Sequence, residues 1–297
     1  MSEQIFYFIQ QLLNGSIGIR SLTATSNTDI ALNGINKVDF VDLNATTGGG
    51  LISYHTANTA ATHITAAATG NITVIGDPGS DAIALGTLTT AGVSTASVTS
   101  QKAILDDNGS GVANITTGSG NITLVSVNGT AVPGQLAISS DIATSGQVNA
   151  SVSGGPNGSI YVRDVGASQP TNVTLNASAA TTEGDVSYYR YGNLNLSPSI
   201  AMTPKAGVGS SDIGASGDIN VTGAFTMGGA TTSISAGGDF NVLNTVTMNG
   251  ADNAISAGGN MNLTTGDVVM NGANSNTAII GSVLGITGGS TLQAGAG

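Results

Sequence analysis

The sequence predicts an all-β chain wound as a parallel β-helix, and three observations predict it. The first is a unit written three times near the C-terminus. It reads IGASGDINVTGAFTMGGATTS from Ile213, ISAGGDFNVLNTVTMNGADNA from Ile234 and ISAGGNMNLTTGDVVMNGANSNTA from Ile255, a repeat of 21 residues. Self-similarity at such a period marks an architecture in which each unit buries its apolar face only by stacking on its neighbours. The second is the spacing inside the unit. In GDINV, GDFNV and GNMNL apolar residues alternate with Asn or Asp, which sends one set of side chains inward and the other outward on a strand. The third is composition: 44 Gly, 4% aromatic and 8% charged residues beside 40% hydrophobic ones suit a thin core of small aliphatic side chains. Disordered chains are rich in charge and poor in β-branched residues, so this bias excludes them.

Residues 1–15 differ in kind. MSEQIFYFIQQLL has an apolar stretch but an acidic Glu3 and no basic residue, so it fails as a secretory signal, and it is too short to span a bilayer. The expectation is a cap over the first coil or a strand donated to a neighbouring copy, with Ile5, Phe6, Phe8 and Ile9 as the contacts.

Residues 16–205 read as solenoid coils of irregular length. GNITV at Gly70, GNITL at Gly120 and NVTLN at Asn172 repeat loosely, and DAIALGTL, QLAISSDI and SIYVRDVG supply further strands. Turn-rich insertions such as DDNGSG and GGPNGS separate them. Residues 206–297 are the regular part, with a fourth unit expected to open at Ile279. At about 21 residues per coil the whole chain would make ~14 coils and a rod of roughly 65 Å. GGSTLQAGAG ends without polar or aromatic closure, so the chain is expected to be a piece of a longer protein or a subunit that stacks on another.

AILDDNGSGVANITTGSGNITL from Ala103, GQVNASVSGGPNGSIYVRDVG from Gly146 and the units SAGGDFNV and SAGGNMNLTT resemble internal segments of filamentous-haemagglutinin-type large exoproteins. That resemblance covers nearly all of the chain after about residue 20. It implies a right-handed parallel β-helix, an extracellular or cell-surface location, and adhesion or filament roles. The family's long leader and N-terminal secretion domain are not recognised here.

Charge narrows the partners. The formal net charge is −11, and the six basic residues are scattered singly, so nucleic acid, which needs a basic stripe, is not expected. Membrane insertion is not expected either. The expected partners are other copies of the chain or a longer parent, end to end, and host or matrix glycans. The absence of cysteine is compatible with this, because a continuous ladder needs no disulfide staple.

Candidate sites are few. Tyr188, Tyr189 and Tyr191 around Arg190 read either as a sugar-stacking platform or as a packed, edge-covering segment. Asp106 and Asp107 before Asn108 and Gly109, and Asp77 with Asp81 in GDPGSD, are weak calcium candidates that plain turns also explain. His55 and His63 read as a metal pair or as two unrelated side chains. Asp218 and Asp239 on successive coils would sit ~5 Å apart, but Asn260 continues the row, which favours a ladder of Asx turns over acid–base catalysis. Only two glutamates occur, so the clustered carboxylates of β-helix lyases are missing and no enzyme and no cofactor are expected. Asn-x-Ser/Thr sites recur, with Asn71, Asn114, Asn121, Asn172, Asn220 and Asn262 as candidate N-glycan acceptors, although outward Asn and Thr rows also suit ladders between coils. The function expected is a structural adhesin shaft or filament subunit, with a carbohydrate-binding or carbohydrate-active β-helix as the alternative.

Overall fold

The computed structural model of the protein describes residues 19–46, 49–279, 284–286 and 291–294. The N-terminal segment with Ile5, Phe6, Phe8 and Ile9 lies outside the described residues. Among those described there is no helix, and the strands pair in parallel ladders. Each coil adds one rung to a thirteen-stranded sheet that starts at Ile19–Thr25 and reaches Asn274–Ile279, and one rung is split into two strands. We call this the long sheet. Up to Ile200–Thr203 the chain alternates between it and a second sheet of eight strands. From Leu194–Leu196 onward a five-stranded and a four-stranded sheet take over the opposite side, so each coil passes from two strands to three.

The described coils stack about 11 deep with about 22 residues per turn, close to the 21 that the repeat predicts. Coil length varies along the chain: the register partners Phe40 and His63 are 23 residues apart, Ile160 and Val186 are 26 apart, and Ile213 and Ile234 are 21 apart. At ~4.8 Å per coil the described coils span roughly 53 Å. The last repeat also shifts: Ile255 pairs with Thr277 and Ala257 with Ile279, so the fourth unit opens two residues before Ile279.

The period-two pattern builds the core directly. Ile213, Ile234 and Ile255 stack one above another and are buried, as are Ile219, Phe240 and Met261 in the row beside them. Each such side chain removed from water contributes roughly 1.5–3 kcal/mol. Because every coil repeats the row, this gain accrues along the whole rod rather than at one centre.

Turns are held by side chains reaching one coil along. Oδ1 of Asn193 accepts the N–H of Asp218 at 2.9 Å, Oδ1 of Asp218 that of Asp239 at 2.8 Å, and Oδ1 of Asp239 that of Asn260 at 2.6 Å. The row expected as Asx turns is such a ladder. It also explains the glycine before each member: a Cβ at Gly238 would stand 2.2 Å from Oδ1 of Asp218. Outward amides ladder as well, with Asn241 donating to Asn220 at 3.0 Å and Asn262 to Asn241 at 2.8 Å.

Candidate functional site

Chemistry concentrates on the long sheet, where one of its rungs is broken. Ile104–Asp106 and Ile115–Thr116 are two halves of one rung, and residues 107–114 leave the sheet between them. The break follows from the preceding coil. Its strand Ile83–Thr89 carries a bulge at Gly86 and Thr87, where the register against Thr62–Ala68 shifts. A bulge leaves backbone oxygens without ladder partners. Asn114, fully buried, donates Nδ2 to the Leu85 carbonyl at 2.7 Å, while Asn108 donates to the Gly86 carbonyl at 2.8 Å.

Around that bulge sits a closed polar cage. Asp106 Oδ1 accepts from the N–H groups of Asn108 and Gly109, both at 3.1 Å, and from Asn114 at 3.0 Å. Its Oδ2 takes Nη2 of Arg163 at 2.8 Å. Nε of Arg163 donates to Asp141, which is fully buried, and the other oxygen of Asp141 accepts the Gly111 N–H at 2.6 Å. One guanidinium thus bridges two carboxylates from different coils and pins the tip of the excursion. Burial pushes the Asp141 carboxyl above its ordinary range, against the pull of the Gly111 N–H and of Arg163.

A second network lies inside the next coils. In Ile160–Asp164 and Val186–Arg190 alternate residues face the core, so Asp164, Tyr188 and Arg190 point inward. Arg190 Nη1 donates to Asp164, the Tyr188 hydroxyl donates to the same carboxylate at 3.1 Å, and Gly166 N–H donates to its other oxygen at 2.9 Å. The proposed sugar platform of Tyr188, Tyr189, Arg190 and Tyr191 is therefore divided. Tyr188 and Arg190 are buried in this network, and only Tyr189 and Tyr191 reach the surface, edge to face at 5.4 Å. Burial holds the Tyr188 hydroxyl well above its usual pKa.

The calcium candidates do not converge. Arg163 holds Asp106, His63 meets Asp107 at 2.7 Å, His55 meets Asp77 at 3.3 Å and Lys102 meets Asp81 at 3.1 Å. A cationic or protonatable side chain thus occupies the place of an ion at each of them. Among the described residues no group of three or more His, Cys, Asp or Glu comes together. His55 and His63 stand on different sheets and do not form a pair. Of the glycan-acceptor candidates, Asn71, Asn121 and Asn172 are exposed, while Asn114 is sealed in the cage and cannot receive a sugar in the folded chain. Asn220 and Asn262 are half-buried members of the amide ladder.

Two hollows lie on the same outer face. One of about 440 Å³ is floored by Ala103, Leu105 and Ser139 and flanked by Lys102, Asp106 and Gln135. The other, about 250 Å³, lies between Phe40, Asp42, His63 and Asp107, with Phe40 stacked on His63 at 4.8 Å. Sequence reasoning missed Asp141, Tyr161, Arg163, Asp164 and the Phe40–His63 pair. An Asp in the inward register of IYVRD was the available signal for the buried network.

Comparisons with family models, with curated proteins and with solved structures find no match. What the resemblance to haemagglutinin-type exoproteins implied about architecture is found here, an all-β solenoid of parallel stacked coils.

Proposed function

We propose that this chain is a non-enzymatic structural shaft of the cell surface or extracellular space, part of an adhesin or filament whose strength comes from coil stacking. One observation carries the reading. Side-chain ladders run from coil to coil in strict register, Asn193 to Asp218 to Asp239 to Asn260, beside continuous backbone ladders. Each coil is tied to the next by bonds along the axis, the direction in which a shaft is loaded. The exposed faces of the regular coils carry mostly Asn, Ser, Thr and Gly, which favour hydration and lateral polar contact over enclosure of a substrate. Of the carboxylates that line the hollows, Asp81 and Asp106 are held by Lys102 and Arg163 and Asp107 is hydrogen-bonded to His63, rather than left as an acid–base pair. Carbohydrate binding does not compete with this role, since a shaft can carry a site on its flank.

Electron microscopy of the purified chain over a range of concentrations tests the reading. Filaments with an axial repeat no shorter than the ~53 Å spanned by the described coils support end-to-end stacking. Isolated rods at every concentration count against a self-stacking subunit.

A further inference from the structure

The outer face of the long sheet bears a straight row of side chains, one per coil. Phe40, His63, Ala84 and Leu105 follow one another in register, and Ser139 pairs with Tyr161 in the same row. Ile104 pairs with Ile138, which sets Ser139 beside Leu105 and makes the row continuous. Five steps of ~4.8 Å give it a length of ~24 Å. The two hollows lie along it, one lined by Asp106 and the other by Asp107, with the buried Ala84 between them in the row. Asp107, at the start of the 107–113 excursion that Asp141 and Arg163 pin, lines the smaller hollow. The larger is walled by the segment of Thr130, Gln135 and Leu136, tied down where Gly134 N–H donates to Glu183 at 3.0 Å.

We propose that this groove binds an extended, uncharged oligosaccharide. Its surface alternates rings with hydrogen-bonding groups. Phe40 is 54% exposed and lies over His63, and the half-buried Tyr161 ends the row beneath the Arg163 guanidinium at 5.5 Å. Aromatic faces receive the C–H faces of sugar rings. Between them, Lys102–Asp81, Arg163–Asp106 and His63–Asp107 supply donors and acceptors together, as sugar hydroxyls require. Carboxylates outnumber cations here, since Asp42 has no cationic partner among the described residues and Arg163 is shared by Asp106 and Asp141. The groove thus offers no excess of cation to a polyanion, and the chain's net charge of −11 opposes one. An extended peptide would seek unpaired backbone at a sheet edge, whereas this is the face of a sheet whose ladders are already made. Such a groove binds or fails to bind whether or not the rod stacks end to end, so the inference stands apart from the shaft reading.

The test is a printed array of neutral and acidic oligosaccharides of graded length, with a peptide array as comparison. The wild-type chain is probed beside Phe40→Ala, Tyr161→Ser and Leu243→Ser, the last an exposed residue of the C-terminal coils. Circular dichroism and melting establish that each variant is folded, and Phe40, being exposed, can be removed without opening the core. The expected result is retention of neutral oligosaccharides, stronger for longer chains, weakened tenfold or more by Phe40→Ala and by Tyr161→Ser and unchanged by Leu243→Ser. Three results would each overturn the proposal: no neutral glycan retained, preference for acidic glycans or peptides, or binding that survives both groove substitutions.

Discussion

Oδ1 of Asp218 accepts the backbone N–H of Asp239 at 2.8 Å, one full coil further along the chain. The same atom occupies the space that a Cβ on Gly238 would need, 2.2 Å away. The Gly-Asp pair that opens GDINV and GDFNV is thus one device split over two coils. The Asp of one coil supplies the acceptor, and the Gly of the next leaves room for it. Gly259 stands in the same relation to Asp239, again at 2.2 Å.

This relationship predicts non-additive mutations. Asp218→Ala should cost about 1–2 kcal/mol, because it leaves the Asp239 N–H without its partner. Gly238→Ala should cost more, roughly 2–4 kcal/mol, since the new methyl group must displace that oxygen. In the double variant the clash partner is gone, so the sum should overshoot the measured loss by about 1 kcal/mol or more. Urea unfolding of the four proteins in a double-mutant cycle gives the answer. Simple additivity would mean that the two positions are not coupled in this way.

Arg190→Ala should be among the most damaging single changes available. It strips the fully buried Asp164 of its cationic partner, leaving only Tyr188 and the Gly166 N–H. An unpaired buried carboxylate costs about 3–5 kcal/mol. Asp164→Leu combined with Arg190→Leu removes both charges and should recover most of that loss. Chemical denaturation of the three chains checks this. A double variant as unstable as Arg190→Ala would show that the pair itself, not the orphaned charge, sets the stability.

The legible and illegible parts of this molecule divide along a physical line. Whatever repeats could be read: the inward rows through Ile213 and Phe240, the outward Asn220–Asn241–Asn262 ladder and the Asx row all follow from period-two alternation inside a 21-residue unit. The same alternation, applied to VSYYR, sends Tyr188 and Arg190 inward with Val186, and attending to density of aromatics instead hid that. What does not repeat could not be read. Arg163 bridges Asp106, 57 residues away, and Asp141, 22 away, because an excursion in one coil and a strand two coils later meet on one face. Nothing local to DDNGSG announces an arginine as its counter-ion, so the segment looked like a loose calcium loop.

Alkaline pH should destabilise the fold through its buried tyrosines. Burial raises the pKa of Tyr54 and of Tyr188 above the ordinary phenol value. A folded-state pKa above the unfolded one contributes stability that is complete below about pH 10 and lost as pH climbs toward the folded value. Each such ring removes about 1.4 kcal/mol per pH unit in that window. Denaturant melts from pH 9 to pH 11.5 should show the fall, and Tyr188→Phe should make it shallower. Absorbance of tyrosinate adds a second readout, since two of the six tyrosines should ionise only on unfolding. A slope identical in Tyr188→Phe would remove Tyr188 from the account.

Asn114 offers the sharpest test of the cage. Its Nδ2 faces oxygens of Leu85, Asp106 and Asn108 at 2.7, 3.0 and 2.8 Å, and its Oδ1 accepts the Asp141 N–H at 2.7 Å. Asn114→Asp keeps the size but turns the donor into a charged acceptor among oxygens, so it should be worse than Asn114→Ala, which merely leaves those groups unpaired. The alanine variant should lose about 2–3 kcal/mol, and the aspartate variant more. Damage should also be local first. With the cage open, Gly111 loses its anchor and residues 107–113 should exchange amide hydrogens and accept protease cleavage well before the regular coils of 206–279 do. Protected loop amides in the aspartate variant would mean that the excursion is held by something other than the cage, whereas early loop exchange with intact coils would place the hold in Asn114 and its four partners.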